Sequence, residues 1–427
     1  MFGTSGIRGL YGKDITEELA FRVGNIFAGK TLVVARDLRK SGVPLTMAVE
    51  VGALCAGSDV IDGGIAPTPT LALAAQDRGI MVTASHNPPE YNGLKLIKRS
   101  KEIGKELEQD ITMQYSKPPR IAPAGSFFQK EIIGQHKEMI MSMVDSAVIE
   151  RRKPKVLVDC NGAAAVLTPY LLSDLGCRVT SVNASLECFN RASEPNEKNL
   201  GHLMELVKMT GADFAVGHDG DGDRCVIVDD TGSMLAFDVQ LAMMIEHEMS
   251  QSRNKKIIST VEASLAIRDV VHDLGGQIEI TPVGSTHVGH MLEKEDALFG
   301  GEPCGEYIYR DGVHVPDAPL AVAKFAEIFC TKGKFSELKK KYKQHFIVRE
   351  RFPSKQKRKA IAKIKKGIKI KGKVRDDDGI RVDEDDGWFL IRASGTEPIV
   401  RLTMEYKTEE KLEKRKQELS KLIKSFC

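Results

Sequence analysis

Short apolar runs alternate along the chain with amphipathic stretches at helical spacing, and the two patterns take turns. A helical pattern from Thr16 to Ala28, closed by Gly29, leads into the strand Thr31-Leu32-Val33-Val34-Ala35, which ends in Arg36-Asp37. A helix over Pro44 to Ala56, the strand Asp59-Val60-Ile61-Asp62, a further helix and the strand Gly79-Ile80-Met81-Val82 follow. The outline then recurs. A strand at Lys155-Val156-Leu157-Val158-Asp159 feeds a helix that runs to Leu175 and closes on Gly176, before the strand Arg178 to Val182. It recurs again as the strand Lys256 to Thr260, a helix ending at Gly275-Gly276, and the strand Gln277 to Ile280. Strands alternating with helices predict α/β units, here three of similar topology.

Turn-forming residues mark the divisions. Lys117-Pro118-Pro119-Arg120 through Pro123 is one break, and Arg151-Arg152-Lys153-Pro154, after a long helical stretch, is a stronger one. Beyond Tyr342 the pattern changes to a basic helix and an antiparallel segment around Trp388 and Arg401, a smaller α+β unit. The expected division is 1–150, 151–252, 253–345 and 346–427. A chain of 427 residues is too long for one core, which agrees with several domains.

Composition narrows the class. With 42% hydrophobic and 28% charged residues the chain reads as soluble and globular, with no leader sequence and no apolar stretch long enough to span a bilayer. Eight cysteines contain no CxxC pair, which argues against zinc and a disulfide framework and for a reducing, cytoplasmic setting. A net charge of +3 does not imply a nucleic-acid partner. The basic runs Lys339-Lys340-Lys341 and Lys363-Ile364-Lys365-Lys366 read as solvated faces of amphipathic helices, with a minor pull on an anionic substrate.

Five stretches carry chemistry. At the end of the strand Gly79 to Val82 lies Thr83-Ala84-Ser85-His86-Asn87-Pro88, where two prolines forbid an immediate helix and leave an exposed loop. A hydroxyl there is a candidate nucleophile; a turn that merely satisfies its own backbone is the plainer reading. In His218-Asp219-Gly220-Asp221-Gly222-Asp223-Arg224, three carboxylates alternate with glycines and can converge on one hard cation such as Mg²⁺. The spacing is not that of an EF-hand, because Arg224 stands at the sixth position and a strand begins at Cys225. This loop, too, is expected to be exposed. Gly300-Gly301-Glu302-Pro303-Cys304-Gly305-Glu306 is a turn with two carboxylates. Arg392-Ala393-Ser394-Gly395-Thr396-Glu397-Pro398 combines open backbone N–H groups, two hydroxyls and a planar guanidinium, a set suited to phosphate, and Arg401 follows on the next strand. Lacking a lysine–hydroxyl pair, it is not a nucleotide P-loop. Near the start, Gly3-Thr4-Ser5-Gly6-Ile7-Arg8-Gly9 presents one cation from a glycine-rich backbone.

In this order, GTSGIRG, TASHNPPEYNGLK, DGDGDR, GGEPCGE and RASGTEP resemble the ordered motifs of the α-D-phosphohexomutase superfamily, from Gly3 to Arg401. The resemblance implies four domains around a central active-site cleft, three of them topologically alike. It implies that Ser85 carries a phosphoryl group, and that Ser85, Asp219, Asp221 and Asp223 hold one Mg²⁺. Arg8 and Lys95 would line that site, with Lys95 or His86 moving protons at the attacked hydroxyl. Glu302, with Cys304 and Glu306, would read sugar hydroxyls, and Arg392, Ser394, Gly395, Thr396 and Arg401 would grip the distal phosphate. One departure stands out: the family's sugar loop commonly runs Gly-Glu-x-Ser-Gly-His, where this chain has Cys304 and Glu306.

The expected reaction interconverts a hexose 6-phosphate and 1-phosphate through phospho-Ser85 and a bound hexose bisphosphate, which also serves as activator. Glu306 in place of histidine suggests a carboxylate for a protonated 2-amino group, hence glucosamine phosphate as substrate. Phosphomannomutase or phosphoglucomutase activity is the alternative within the class. A metal-dependent sugar phosphatase is an alternative of another class, against which the separate phosphate clamp speaks. A non-catalytic binder leaves Ser85 and the aspartates without a role. The expected partner is a hexose or hexosamine monophosphate, with neither nucleic acid nor membrane, and the protein is read as a monomer or homodimer.

Overall fold

The computed structural model describes residues 1–427 apart from 4, 343–344, 369–371, 395–397 and the side chain of 358. The first unit runs β1 (Ile7–Leu10), α1 (Glu17–Phe27), β2 (Thr31–Arg36), α2 (Gly42–Cys55), β3 (Asp59–Ile65), α3 (Thr68–Ala74) and β4 (Arg78–Val82). It continues through β5 (Tyr91–Lys98), β6 (Lys101–Glu102), α4 (Lys105–Gln114) and β7 (Phe127–Gln129). The helical stretch expected before residue 151 is two helices, α5 (Ile133–Ser142) and α6 (Ser146–Arg152), because Asp145 turns its carboxylate onto the N–H groups of Ala147 and Val148 and starts a new helix.

The second unit is β8 (Lys155–Asp159), α7 (Thr168–Asp174), β9 (Arg178–Val182), α8 (Gly201–Thr210), β10 (Phe214–His218) and β11 (Cys225–Val228). After α9 (Phe237–Gln251) the third repeats it as β12 (Lys256–Thr260), α10 (Leu265–Asp273), β13 (Gln277–Thr281), α11 (Ser285–Lys294), β14 (Phe299–Glu302) and β15 (Glu306–Tyr309). The sheet orders show the repeat directly: β5-β4-β2-β3, β11-β10-β8-β9 and β15-β14-β12-β13. Each has three parallel strands and a fourth that returns antiparallel along the edge. The first unit extends the pattern with β1 beside β5 and β7 beside β3.

Helix ends follow local chemistry. Thr16 accepts the Leu19 N–H at the start of α1, and Ser264 accepts the Ile267 N–H at the start of α10. The second and third units are not independent globules, since one apolar core runs through both. Its centre is α12 (Ala318–Lys332), followed by α13 (Phe335–Leu338). Phe214 of β10 meets Phe335 edge to face at 5.3 Å between centroids. Lys339 to Lys341 lie in a turn instead of on a solvated helix face. Lys339 pairs with the buried Asp229 at 2.6 Å and Lys341 with Glu246 at 2.6 Å, so these cations fasten this turn to the second unit and α9.

The fourth unit is β16 (Phe346–Pro353), α14 (Lys357–Gly367), β17 (Lys373–Arg375), β18 (Ile380–Glu384), β19 (Gly387–Ala393), β20 (Ile399–Tyr406) and α15 (Glu409–Lys424). Its antiparallel sheet, ordered β16-β20-β19-β18-β17, has a separate core that includes Ile364, Phe389, Met404 and Ile423. Trp388 and Leu390 face the other way and pack on Val261 of the third unit. Among the described residues no helix is long and apolar enough to cross a membrane.

Candidate active site

The repeat places the chemistry. Ser85 lies between β4 and β5, the three aspartates between β10 and β11, and Cys304 between β14 and β15, the same connection in each unit. The fourth stretch joins β19 to β20. Loops at the carboxyl ends of parallel strands are where such sheets bind ligands.

Ser85 takes a left-handed backbone with φ of 52°, and its N–H donates to the Thr83 hydroxyl at 2.8 Å. Its own hydroxyl donates to Asp219 Oδ2 at 3.0 Å and lies 3.4 Å from His86 Nδ1. The sequence suggested an exposed loop, but it is exposed only at its far end, Pro88 to Glu90, and not at Ser85, which is 1% accessible because the second unit closes over it. The aspartate loop is equally buried, with Asp219 and Asp221 at 0% and Asp223 at 3%. Proline placement forbids a helix but is silent about what packs on the turn.

The three carboxylates offer oxygens within 4.8 Å of one another. Lys95 of β5 reaches Asp221 Oδ2 at 2.7 Å and Asp223 Oδ2 at 2.5 Å. Thr68, at the start of α3, donates its hydroxyl to Asp221 at 2.7 Å and its N–H to the Asp221 carbonyl at 2.9 Å. One ammonium does not offset three buried carboxylates. Burial and the charges of Asp223 and Asp221 push Asp219 well above the ordinary range, and burial and Asp221 push Asp223 up to about 6. At Asp221 burial acts upward too, but the Lys95 charge and hydrogen bond overcome it and hold the group low. Burial works against the Lys95 ammonium, yet Asp221 and Asp223 keep it charged. Among the described residues Asp221 Oδ1 and Asp223 Oδ1 are buried without a hydrogen-bond partner. An all-oxygen set with excess negative charge and orphaned acceptors fits Mg²⁺.

Arg8 sits on β1 beside Gly93 of β5 and donates to the Ser5 hydroxyl at 3.2 Å. The charge of Arg224, burial and the charge of Arg8 bring His86 down to about 3, so its imidazole is neutral at physiological pH. Arg224 did not stand out in the sequence beyond its place after the aspartates. It spans two units, donating its N–H to Asp219 Oδ1 at 3.2 Å and its guanidinium to Glu306 at 2.5 Å. Glu306 is therefore paired with a guanidinium of the neighbouring unit. Glu302 accepts the Gly284 N–H at 3.1 Å and is pushed well up by burial and by Glu306. Cys304, half-buried between them, is a free thiol pushed up by burial and by Glu306.

In the fourth unit Arg392 is held by Asp378 at 3.0 Å and by Glu262 of the third unit at 3.5 Å. Arg401 stands opposite Arg392 on one side and Arg351 on the other, three guanidinium residues in register across adjacent strands. Ser394 donates its N–H to the Ile399 carbonyl at 3.0 Å. Gly395 and Thr396 lie outside the described residues.

Comparison with known proteins agrees with this arrangement unit by unit. Residues 1–120, 135–232 and 238–346 match alpha/beta/alpha domains I, II and III of phosphoglucomutase/phosphomannomutase, and 347–422 match its C-terminal domain. The chain belongs to the phosphoglucomutase/phosphomannomutase family. A phosphoglucomutase/phosphomannomutase of Thermococcus kodakarensis is 39% identical, over 96% of this chain and 95% of the relative. A probable phosphoglucosamine mutase of Methanopyrus kandleri is 36% identical, over 99% and 97%. Among solved structures, a phosphoglucomutase/phosphomannomutase family protein of Burkholderia thailandensis superposes with a TM-score of 0.90 at 28% identity, covering 99% of this chain and 97% of that one. This phosphohexomutase family is thus represented here along the whole chain, including the unit whose sugar loop departs from the common motif.

Proposed function

We propose that the protein is a phosphohexomutase that interconverts glucosamine 6-phosphate and glucosamine 1-phosphate. The observation that carries the reading is the hydrogen bond from Ser85 Oγ to Asp219, which joins a buried hydroxyl of one unit to the acidic cluster of another. Phospho-Ser85 gives its phosphoryl group to the free hydroxyl of the sugar monophosphate, the bisphosphate turns over in the cleft, and its other phosphate returns to Ser85. The protein's part is positioning and charge neutralisation.

Asp219, Asp221, Asp223 and Ser85 hold one Mg²⁺ in this reading, and the ion supplies neutralisation of phosphoryl oxygens when bound. Lys95 and Arg8 add positive charge at the same place. Lys95 or His86, whose Nδ1 lies 3.4 Å from Ser85 Oγ, moves the proton at the attacked hydroxyl in this reading. Glu302, Cys304 and Glu306 face the sugar, and Arg392, Ser394, Gly395, Thr396 and Arg401 clamp the distal phosphate. A hexose bisphosphate primes the serine. We place the enzyme in the cytoplasm as a monomer or homodimer, with no nucleic acid or membrane as partner, in keeping with its free cysteines.

Glucosamine is supported by the names of relatives such as that of Methanopyrus kandleri, and by three acidic side chains in the third unit, Glu262, Glu302 and Glu306. The Arg224–Glu306 pair favours the second reading, a phosphoglucomutase or phosphomannomutase, because it leaves Glu306 less charge to offer an ammonium. A coupled assay over glucosamine, glucose and mannose 6-phosphates, with trace bisphosphate and Mg²⁺, decides it. A kcat/KM highest for glucosamine 6-phosphate supports the proposal; preference for glucose or mannose selects the second reading, and net phosphate release with no isomer formed rejects both.

A further inference from the structure

Arg39, between β2 and α2, touches no reacting atom, yet it is 3% exposed and bound entirely to the nucleophile loop and its support. A guanidinium has five N–H donors, and each has a partner here. Nε donates to Asp37 Oδ2 at 3.0 Å. Nη1 donates to the Tyr91 carbonyl at 2.9 Å and the Pro88 carbonyl at 2.5 Å, and Nη2 to the Ser85 and Asn87 carbonyls at 2.8 Å each. Four carbonyls within seven residues of one loop are thus gathered on a single cation.

The same pair reaches Ser85 from its other side. Asp37, fully buried, accepts the Thr83 hydroxyl at 2.6 Å, and that hydroxyl accepts the Ser85 N–H at 2.8 Å. Both peptide groups of Ser85 are therefore tied to one ion pair, directly at the carbonyl and through Thr83 at the amide. This matters because Ser85 has a φ of 52°, a conformation that side chains other than glycine avoid and that a loop keeps only when its surroundings dictate it. Two residues of the second unit add to the hold. The Phe189 ring lies 5.3 Å from the Arg39 guanidinium carbon, and the Ser193 hydroxyl donates to the Ser85 carbonyl at 3.1 Å. The unit that brings Asp219 to Ser85 thus also fastens the backbone from which Ser85 projects.

We propose that Arg39 is the positioning residue of Ser85, and that Phe189 and Ser193 complete its hold when the second unit packs on the first. The proposal rests on Ser85 as phosphoryl carrier. In the half-reaction that isolates this role, the phosphorus–oxygen bond to the sugar of glucose 1,6-bisphosphate breaks and the Ser85 Oγ–phosphorus bond forms. The serine proton ends on the sugar oxygen.

The test follows that step on dephosphorylated protein with Mg²⁺, by intact mass and peptide mapping, in wild type and Arg39→Lys. Lysine keeps the charge beside Asp37 but loses the fork. The expected result is phosphorylation about 100-fold slower in Arg39→Lys, the scale of a small misplacement of reacting groups. Mg²⁺ affinity by calorimetry should fall by about 10-fold at most, the share of the displaced Ser85 hydroxyl, since the three aspartates keep their own supports. Equal phosphorylation rates overturn the proposal, as does a slower rate matched by an equal loss of Mg²⁺ affinity, which marks a general structural defect. Should Arg39→Lys not fold, the double variant Phe189→Leu, Ser193→Ala in the connection between β9 and α8 carries the test, with a rate about 10-fold lower expected and an unchanged rate fatal. Wild type that takes up no phosphate overturns the reading of Ser85 itself, a result distinct from equal rates.

Discussion

Three buried carboxylates around one ammonium are an unstable balance of charge until a cation joins them. Removing one carboxylate should therefore separate stability from metal binding. In Asp219→Asn the metal-free protein should melt at or above the wild-type temperature, because Asp219 is pushed upward by burial and by Asp223 and Asp221. Wild type should gain about 2.7 kcal/mol from Mg²⁺ at 100 times its Kd, and the variant should gain almost none. Thermal melts with and without Mg²⁺ read both effects; a full Mg²⁺ gain in the variant would remove Asp219 from the site. Asp221→Ala should behave differently. It leaves Thr68 without its carboxylate acceptor and Lys95 with Asp223 alone, so the metal-free protein should melt below wild type.

Elements matter here through their ends. Helix α3 contributes its first residue, Thr68, to the aspartate loop by both hydroxyl and N–H. Thr68→Val keeps the helix and the N–H but removes the hydroxyl from Asp221. Mg²⁺ affinity should fall about 10-fold to 100-fold, while circular dichroism stays unchanged. Helix α2 shows the opposite economy, an apolar helix with one acid turned inward. Burial, reinforced by Asp62 and opposed by Arg36, pushes Glu50 up to about 7. The folded protein then keeps a proton that the unfolded chain releases near its ordinary pKa of 4.5. Stability from this group is present below that value and lost as pH rises toward 7. Glu50→Gln should melt higher than wild type at pH 8, with the gap closing by about pH 4.5; a gap that does not depend on pH would show that the titration is not its cause.

Over the whole molecule the fourth unit is the separable part. It has its own core, and its hold on the third unit is a seam that mixes the Trp388–Leu390–Val261 apolar cluster with polar contacts. Arg381, 1% exposed, stacks 3.9 Å from the Trp388 ring centre and donates to the Val261 and Ala263 carbonyls. Glu405 accepts the Leu265 N–H at the start of α10 and the Trp388 indole N–H. Arg381→Met should loosen this seam more than either core. Limited proteolysis should cut between the third and fourth units about 10-fold faster, the effect of roughly 1.4 kcal/mol on local opening. Turnover should fall with it, because the Arg392–Glu262 pair joins the two units across this seam.

Local order was legible from the residues alone. Apolar runs of four or five and glycine stops mark the strands and helices of three units, and repetition of that pattern exposes their common topology. The motifs, too, are local: Asp219, Asp221 and Asp223 announce a hard-cation site within five positions of chain. What lay beyond the sequence is whatever joins distant segments. Thr68 and Asp221 are separated by 153 positions, and Ser193 and Ser85 by 108. Nothing in the vicinity of Arg39 marks it as the support of Ser85, because its five partners lie 2 to 52 positions away and converge only when β2, β4 and β5 pair. Turn residues state where the backbone bends, whereas burial and charge pairing depend on which surface closes over the bend. That is why the strand-end loops were readable, and why their burial, the Arg224–Glu306 pair and the hold on Ser85 were decided only by tertiary packing.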